Sequence, residues 1–158
     1  MNHLRHTVDV AIVGSGFAGL AAAIEASHRL PNGKIRIIEK MPTIGGNSVM
    51  MAAGVSLNHP NLIKRMIEES NSIVEWSISE LGIQYRDRVT QLGGHSVPRT
   101  LSTLNACGND IIGPMLEKIR SKNNIEILLN TAFKKFITSS SGKVEGIQVE
   151  RSDGTTEQ

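Results

Sequence analysis

The sequence predicts an α/β fold: a parallel sheet with an appended antiparallel β-hairpin or meander. Three observations predict it. A short β-branched run, Val8-Asp9-Val10-Ala11-Ile12-Val13, ends abruptly at Gly14. An Ala-rich stretch from Ala18 to about Arg29 follows, with Leu20, Ala23, Ile24 and Ser27 at helical spacing. After the turn signal Pro31-Asn32-Gly33 comes a second β-branched run, Lys34-Ile35-Arg36-Ile37-Ile38-Glu39. Strand, helix and strand within about thirty residues require two parallel strands joined by a right-handed crossover.

Each element has its own signal. The first strand is apolar enough to expect burial on both faces. Residues 41–60 lack periodicity, and their small-residue clusters Gly45-Gly46-Asn47-Ser48 and Ala52-Ala53-Gly54 suit close backbone approach. Asn58 reads as an N-cap with Pro60 in the first turn of the next helix. That helix carries Leu62, Ile63, Met66, Ile67, Ile73, Val74, Ile78 and Leu81 on one stripe, expected to face the core, and should stop near Gly82. The segment from Gln91 to Gly108 is irregular. A further helix is expected over 110–122, where Pro114 is tolerable only within the first turn or so. Strands are expected at 125–129, 133–138 and 144–151, with turns at Ser139–Gly142 and Asp153-Gly154.

Composition narrows the function classes. A length of 158 residues suits one domain spanning 1–158. Five aromatic residues, Phe17, Trp76, Tyr85, Phe133 and Phe136, are too few for a base-stacking platform. Seventeen basic against fifteen acidic residues, scattered along the chain, make no phosphate-binding stripe, so nucleic acid is not an expected partner. The single Cys107 excludes an intrachain disulfide and a cysteine-based zinc site. The histidines His3, His6, His28, His59 and His95 have no ligand spacing, and no metal is expected. No apolar run approaches the ~20 residues of a membrane span, and the first residues have no signal-like stretch, so a cytoplasmic protein without membrane partners is expected.

Gly14-Ser15-Gly16-Phe17-Ala18-Gly19 is G-x-G-x-x-G. Alone the pattern is weak, since it also describes a structural turn beside a solvent-exposed Glu39. Here it follows a strand, opens a helix, and is answered by Glu39 twenty residues after Gly19. Gly14 permits the tight turn, Gly16 leaves room for a pyrophosphate, and Gly19 lets the helix approach the strand. The helix amino end then faces the phosphates, and Glu39 can accept hydrogen bonds from a ribose diol. The reading is a Rossmann-like dinucleotide site. Glycines at 45 and 46, soon after Glu39, suit a cofactor that extends along a second glycine-rich stretch.

Together with Ile38-Glu39-Lys40, Gly45-Gly46-Asn47-Ser48 and Leu92-Gly93-Gly94-His95-Ser96-Val97-Pro98-Arg99-Thr100, this motif resembles the flavoprotein subunits of soluble fumarate reductases and flavocytochromes c, relatives of succinate dehydrogenase and aspartate oxidase. The resemblance runs along nearly the whole chain and implies FAD. It places the backbone of Gly14, Ser15, Gly16, Ala18 and Gly19 at the pyrophosphate, and Glu39 and Lys40 at the adenosine ribose. Gly45, Gly46, Asn47 and Ser48 would run beside the ribityl chain and isoalloxazine, with Ala52, Ala53 and Gly54 just beyond. Ala132 and Phe133 would reach adenine. Asn47 stands where some relatives carry a flavin-linking histidine, which implies non-covalent FAD. The family's chemistry is hydride transfer between flavin and an unsaturated or saturated carboxylate.

Departures from the family pattern are Ala53 in a Gly-Gly pair, a short connection from Gly54 to Asn61, and Leu101-Ser102-Thr103 in place of His-Arg-Pro. The family's capping domain, its proton-donating arginine and its last flavin-binding strand lie beyond the residues matched here. The chain therefore reads as a truncated FAD-binding domain, with exposed apolar surface suited to self-association or a partner polypeptide. Arg99 is a candidate for balancing flavin or substrate charge, against an alternative role anchoring its loop; His95 is a weaker one. Cys107 reads as a small filler, and Met50, Met51 and Met66 as core packing. Two other functions stay open: a non-catalytic or partner-dependent FAD module, and an NAD-binding enzyme, for which Glu39 would repel a 2′-phosphate.

Overall fold

A computed structural model describes residues 5–50 and 60–158. The expected Asn58 cap, Ala52, Ala53 and Gly54 lie outside them. The chain divides into two compact units, residues 1–46 with 117–158, and residues 47–116.

The first unit is built on a parallel sheet of β1 (Val10–Val13), β2 (Ile35–Ile38) and β3 (Ile125–Leu128), in that order across the sheet. Val10 sits opposite Ile35, and Ile35 opposite Ile125. Between β1 and β2 runs α1 (Phe17–Arg29), whose buried residues are Leu20, Ala23, Ile24 and Ser27, the set picked out by helical spacing. Ile35, Ile37 and Ile38 of the central strand complete this core. Each such large aliphatic side chain contributes roughly 1.5–3 kcal/mol by burial. The edge strand β1 is not buried on both faces as expected: Ala11 and Val13 are exposed. A β-branched run reports a strand, but its position at the sheet edge leaves one face without cover.

Three antiparallel strands follow: β4 (Thr131–Thr138), β5 (Val144–Arg151) and β6 (Thr156–Glu157). A register shift between Phe133 and Lys135 lets the Phe133 and Phe136 rings meet with centroids 4.9 Å apart. With β6 the appended sheet takes the meander form of the expected hairpin or meander, and Arg151 pairs with the buried Glu157 across it.

The second unit holds α2 (Asn47–Met50), α3 (Pro60–Leu81) and the amino-terminal part of α4 (Asn109–Arg120). α3 starts with Pro60 and stops before Gly82, as the sequence predicts. Its apolar stripe does not form core. Leu62, Ile63, Met66, Ile67, Ile73 and Ile78 are exposed, Ile67 by 66%, and Ser77 is the residue of α3 that is buried. Hydrophobic periodicity reports an amphipathic face and is silent on what covers it. Pro114 lies in the second turn of α4 rather than the first, where it deprives the Asp110 carbonyl of its helical donor. Between α3 and α4, bridges Tyr85–Thr103 and Thr90–Thr100 fold the irregular segment back on itself. Among the described residues no helix is long and apolar enough to cross a membrane.

Candidate functional site

The turn between β1 and α1 owes its shape to backbone freedom. Gly14 has φ +99°, a region that a side chain strains, and its N–H donates to the Ile38 carbonyl at 2.8 Å. This ties the turn to the end of β2. A Cβ on Gly19 would lie 2.0 Å from the Gly14 carbonyl oxygen, so only glycine allows α1 to start this close to the turn. Gly16 occupies the N-cap position in extended conformation and offers no side chain to the helix end. An α-helix leaves its first four N–H groups without intrahelical acceptors and carries partial positive charge there. The amino end of α1 is thus an anion-favouring surface to which its own N-cap residue, Gly16, contributes no side chain.

Ser15 is fully buried inside this turn. Its N–H and its hydroxyl both donate to Oε2 of Glu39, at 2.9 and 2.5 Å. The other carboxylate oxygen, Oε1, accepts from the Met41 N–H at 2.8 Å. Glu39 is 6% exposed, and burial acts to raise its pKa. The Ser15 hydroxyl and the Met41, Ser15 and Lys40 amides outweigh that and hold it below its ordinary 4.5. Glu39 is therefore an anion at neutral pH, neutralised by hydrogen bonds rather than by a cation.

Gly45 joins the same cluster. Buried and at φ +96°, it donates its N–H to both the Ser15 carbonyl, at 3.0 Å, and the Ser15 Oγ, at 3.2 Å. Gly46 follows with open space around its α-carbon, and Lys40 is exposed. The start of β4 docks on the backbone of the same loop. The Thr131 N–H donates to the Glu39 carbonyl at 2.9 Å, and the Asn130 N–H to the Met41 carbonyl at 3.2 Å. Ala132 and Phe133 continue β4 from there, half-buried and opposite Glu150 and Val149.

Gly14, Ser15, Gly16, Ala18, Gly19, Glu39, Lys40, Gly45, Gly46, Ala132 and Phe133 all belong to the first unit. Asn47 and Ser48 open α2 in the other unit, and Gly54 lies outside the described residues. Arg99 is also in the second unit. It is exposed, with its guanidinium donating to the Ser96 hydroxyl at 2.8 Å, while its N–H bonds the Thr90 carbonyl. His95 Nδ1 sits 3.5 Å from the Thr100 hydroxyl. Cys107 is exposed rather than a filler, and its thiol donates to Asp110. Met66 is exposed as well.

Residue-by-residue reading misses Met41, Asn130 and Thr131. Met41 and Thr131 act through backbone amides, which no side-chain identity announces. Asn130, at φ +51°, left a signal, because Asn tolerates the left-handed region that turns the chain into β4.

Residues 9–158 match the family described as FAD dependent oxidoreductase. The chain is 31% identical to the NADH:fumarate oxidoreductase of Klebsiella pneumoniae (strain 342), over 89% of this chain and 18% of that protein. It is 32% identical to the acrylate reductase flavoprotein subunit of Shewanella woodyi, over 90% of this chain and 33% of that protein. Among solved structures, the open conformation of a flavocytochrome c3 fumarate reductase superposes with a TM-score of 0.77 at 21% identity, covering 98% of this chain and 32% of that one. The chain thus spans about a fifth to a third of the length of these relatives. A glycine turn at a helix amino end, an acidic residue fastened beside it and a match from residue 9 onward agree: this chain belongs to the FAD dependent oxidoreductase family.

Proposed function

We propose that the first unit holds the adenosine diphosphate half of FAD, as part of a flavoprotein acting on the carbon–carbon double bond of a carboxylate. The observation that carries the reading is the hydrogen-bonded link between the phosphate turn and Glu39, which sets a sugar acceptor beside an anion-favouring helix end. The residues present fit such a group. A side chain at Gly14 would be strained, and Gly16 at the N-cap presents none.

In this reading the α1 amino end, at Gly16, Ala18 and Gly19, binds the diphosphate, whose two charges complement the helix dipole. Glu39 accepts from a ribose hydroxyl and, being ionised, rejects a 2′-phosphate. Lys40 adds a mobile positive charge at the rim. Gly45 and Gly46 leave the chain bare where the flavin-ward part of the ligand continues. Ala132 and Phe133 offer an apolar border for adenine. Ser15 is the exception to a simple backbone role, since its N–H is committed to Glu39. Flavin, when bound, supplies hydride-transfer chemistry, and the protein contributes orientation, charge and exclusion of water.

The fumarate and acrylate reductases among the relatives support a short unsaturated carboxylate as the substrate class of the whole protein. Asn47, lacking a nucleophilic ring nitrogen, supports non-covalent attachment. Arg99, with a guanidinium exposed beyond its Ser96 contact, is the candidate for meeting a carboxylate or a reduced flavin. The exposed stripe of α3 supports burial against a second copy or a partner polypeptide.

Titrating the purified chain with FAD, NAD and NADP, and following melting temperature and flavin fluorescence, tests the reading. Stabilisation by FAD and none by NADP is expected; stabilisation of about 2.7 kcal/mol corresponds to ligand at a hundredfold excess over Kd. A chain that FAD neither stabilises nor quenches would refute it.

A further inference from the structure

We infer that the Ser15 side chain is a positioning residue that fastens the sugar-binding carboxylate and the second glycine stretch to the phosphate turn. The position is the first variable one of the G-x-G-x-x-G pattern, where backbone conformation alone is asked of a residue. Here the side chain has a task of its own. Ser15 Oγ donates to Glu39 Oε2 at 2.5 Å and accepts from the Gly45 N–H at 3.2 Å, so one hydroxyl uses both its donor and an acceptor site. The three segments it joins are separated by 24 and 30 residues. No other side-chain hydroxyl is described in this cluster: Thr131, also buried, turns its own to the Leu129 carbonyl.

The link has a physical consequence. A carboxylate side chain has rotamer freedom, and an ionised one buried here without donors would be costly. The Ser15 hydroxyl fixes which oxygen faces inward, and leaves Oε1, bonded to Met41, as the one toward the loop. Gly45 is held by the same atom, so a shift of the glycine stretch and a shift of Glu39 are coupled. The elements bonded around Glu39 bring no other titratable side chain: residues 14–19, 42–46 and 128–131 contain none, and the adjacent Lys40 is exposed. Burial, which favours the protonated carboxyl, is thus opposed by hydrogen bonds rather than by a neighbouring charge.

The inference rests on the reading of this unit as an FAD site, and its test separates the two. In the full chain, the Glu39 side-chain carbon is titrated by carbon-13 NMR in the wild type, Ser15→Ala and Ser15→Thr, and FAD affinity is measured on the same samples. Ser15→Ala should move the Glu39 titration upward by about one pH unit and weaken FAD binding about tenfold. Ser15→Thr, which keeps the hydroxyl, should restore the titration. Ser15→Ala with an unmoved Glu39 titration, or with a moved titration and wild-type FAD affinity, would overturn the positioning role. A wild type that ignores FAD while Ser15→Ala still shifts Glu39 would refute the FAD reading and leave the Ser15–Glu39 link standing.

Discussion

The two units of this chain treat the same kinds of residue in opposite ways. In residues 1–46 and 117–158, the aliphatic side chains of α1 and β2 are buried, and the polar Ser15, Glu39 and Thr131 are buried with partners. In residues 47–116, α3 carries a longer apolar stripe that stays exposed, held instead by surface pairs such as Arg65–Glu69. The difference teaches where specificity sits. A buried polar cluster must be satisfied atom by atom, so it dictates one arrangement; an exposed stripe tolerates many. The first unit is fixed by its satisfied polar cluster, and the second leaves the apolar face of α3 exposed.

The largest expected effect breaks that comparison at the turn. Gly19→Val places a side chain against the carbonyl oxygen of Gly14, a residue whose N–H is tied to the Ile38 carbonyl. We expect a loss of at least about 3 kcal/mol in urea unfolding, together with loss of FAD binding. Next comes Glu39→Gln, which puts an amide nitrogen or a weaker acceptor against the Ser15 and Met41 donors. Stability at neutral pH should fall by about 1.5–3 kcal/mol. The sign with pH follows from the lowered pKa: the contribution of Glu39 is complete above its unfolded value near 4.5 and is lost as pH falls through the lower folded value. The wild type should therefore lose stability in acid more steeply than Glu39→Gln. A variant with the same acid slope would deny Glu39 that role.

Gly45→Ala is smaller. At φ +96° the added methyl strains the backbone by about 1–3 kcal/mol and should loosen the Ser15 contact, visible as a drop in melting temperature and in FAD affinity. The smallest effect sharpens the comparison from the other side. Ile67→Gln on α3, at a position 66% exposed, should alter the stability of the isolated chain by no more than about 0.5 kcal/mol while reducing self-association in concentration-dependent sedimentation. A large loss of stability would mean that this face is core after all.

The β1–turn–α1–β2 unit was legible in the sequence because three signals, β-branched runs, glycine spacing and a helical period, coincide within one segment. The helix ends at Pro60 and Gly82 were legible because each residue has few other places to stand. α2 and β6, four and two residues long, are too short for any period to register. Burial was misread at both ends of the scale, in β1 and in α3, since the pattern of a strand or helix specifies a face and not its neighbour. In the site, the positions of Gly14, Gly19 and Glu39 were legible. The Ser15 hydroxyl was not, because it occupies a variable position of its motif, and the amides of Met41 and Thr131 carry no side-chain signature.

The central claim is that the FAD of this family lodges on the phosphate turn and its fastened carboxylate. Amide proton–nitrogen spectra of the isotope-labelled chain, recorded with and without FAD, test it most directly. The expected shifts fall on residues 14–19, 39–46 and 131–133, with residues 62–80 of α3 unmoved. Shifts confined to α3, or none at saturating FAD, would contradict it.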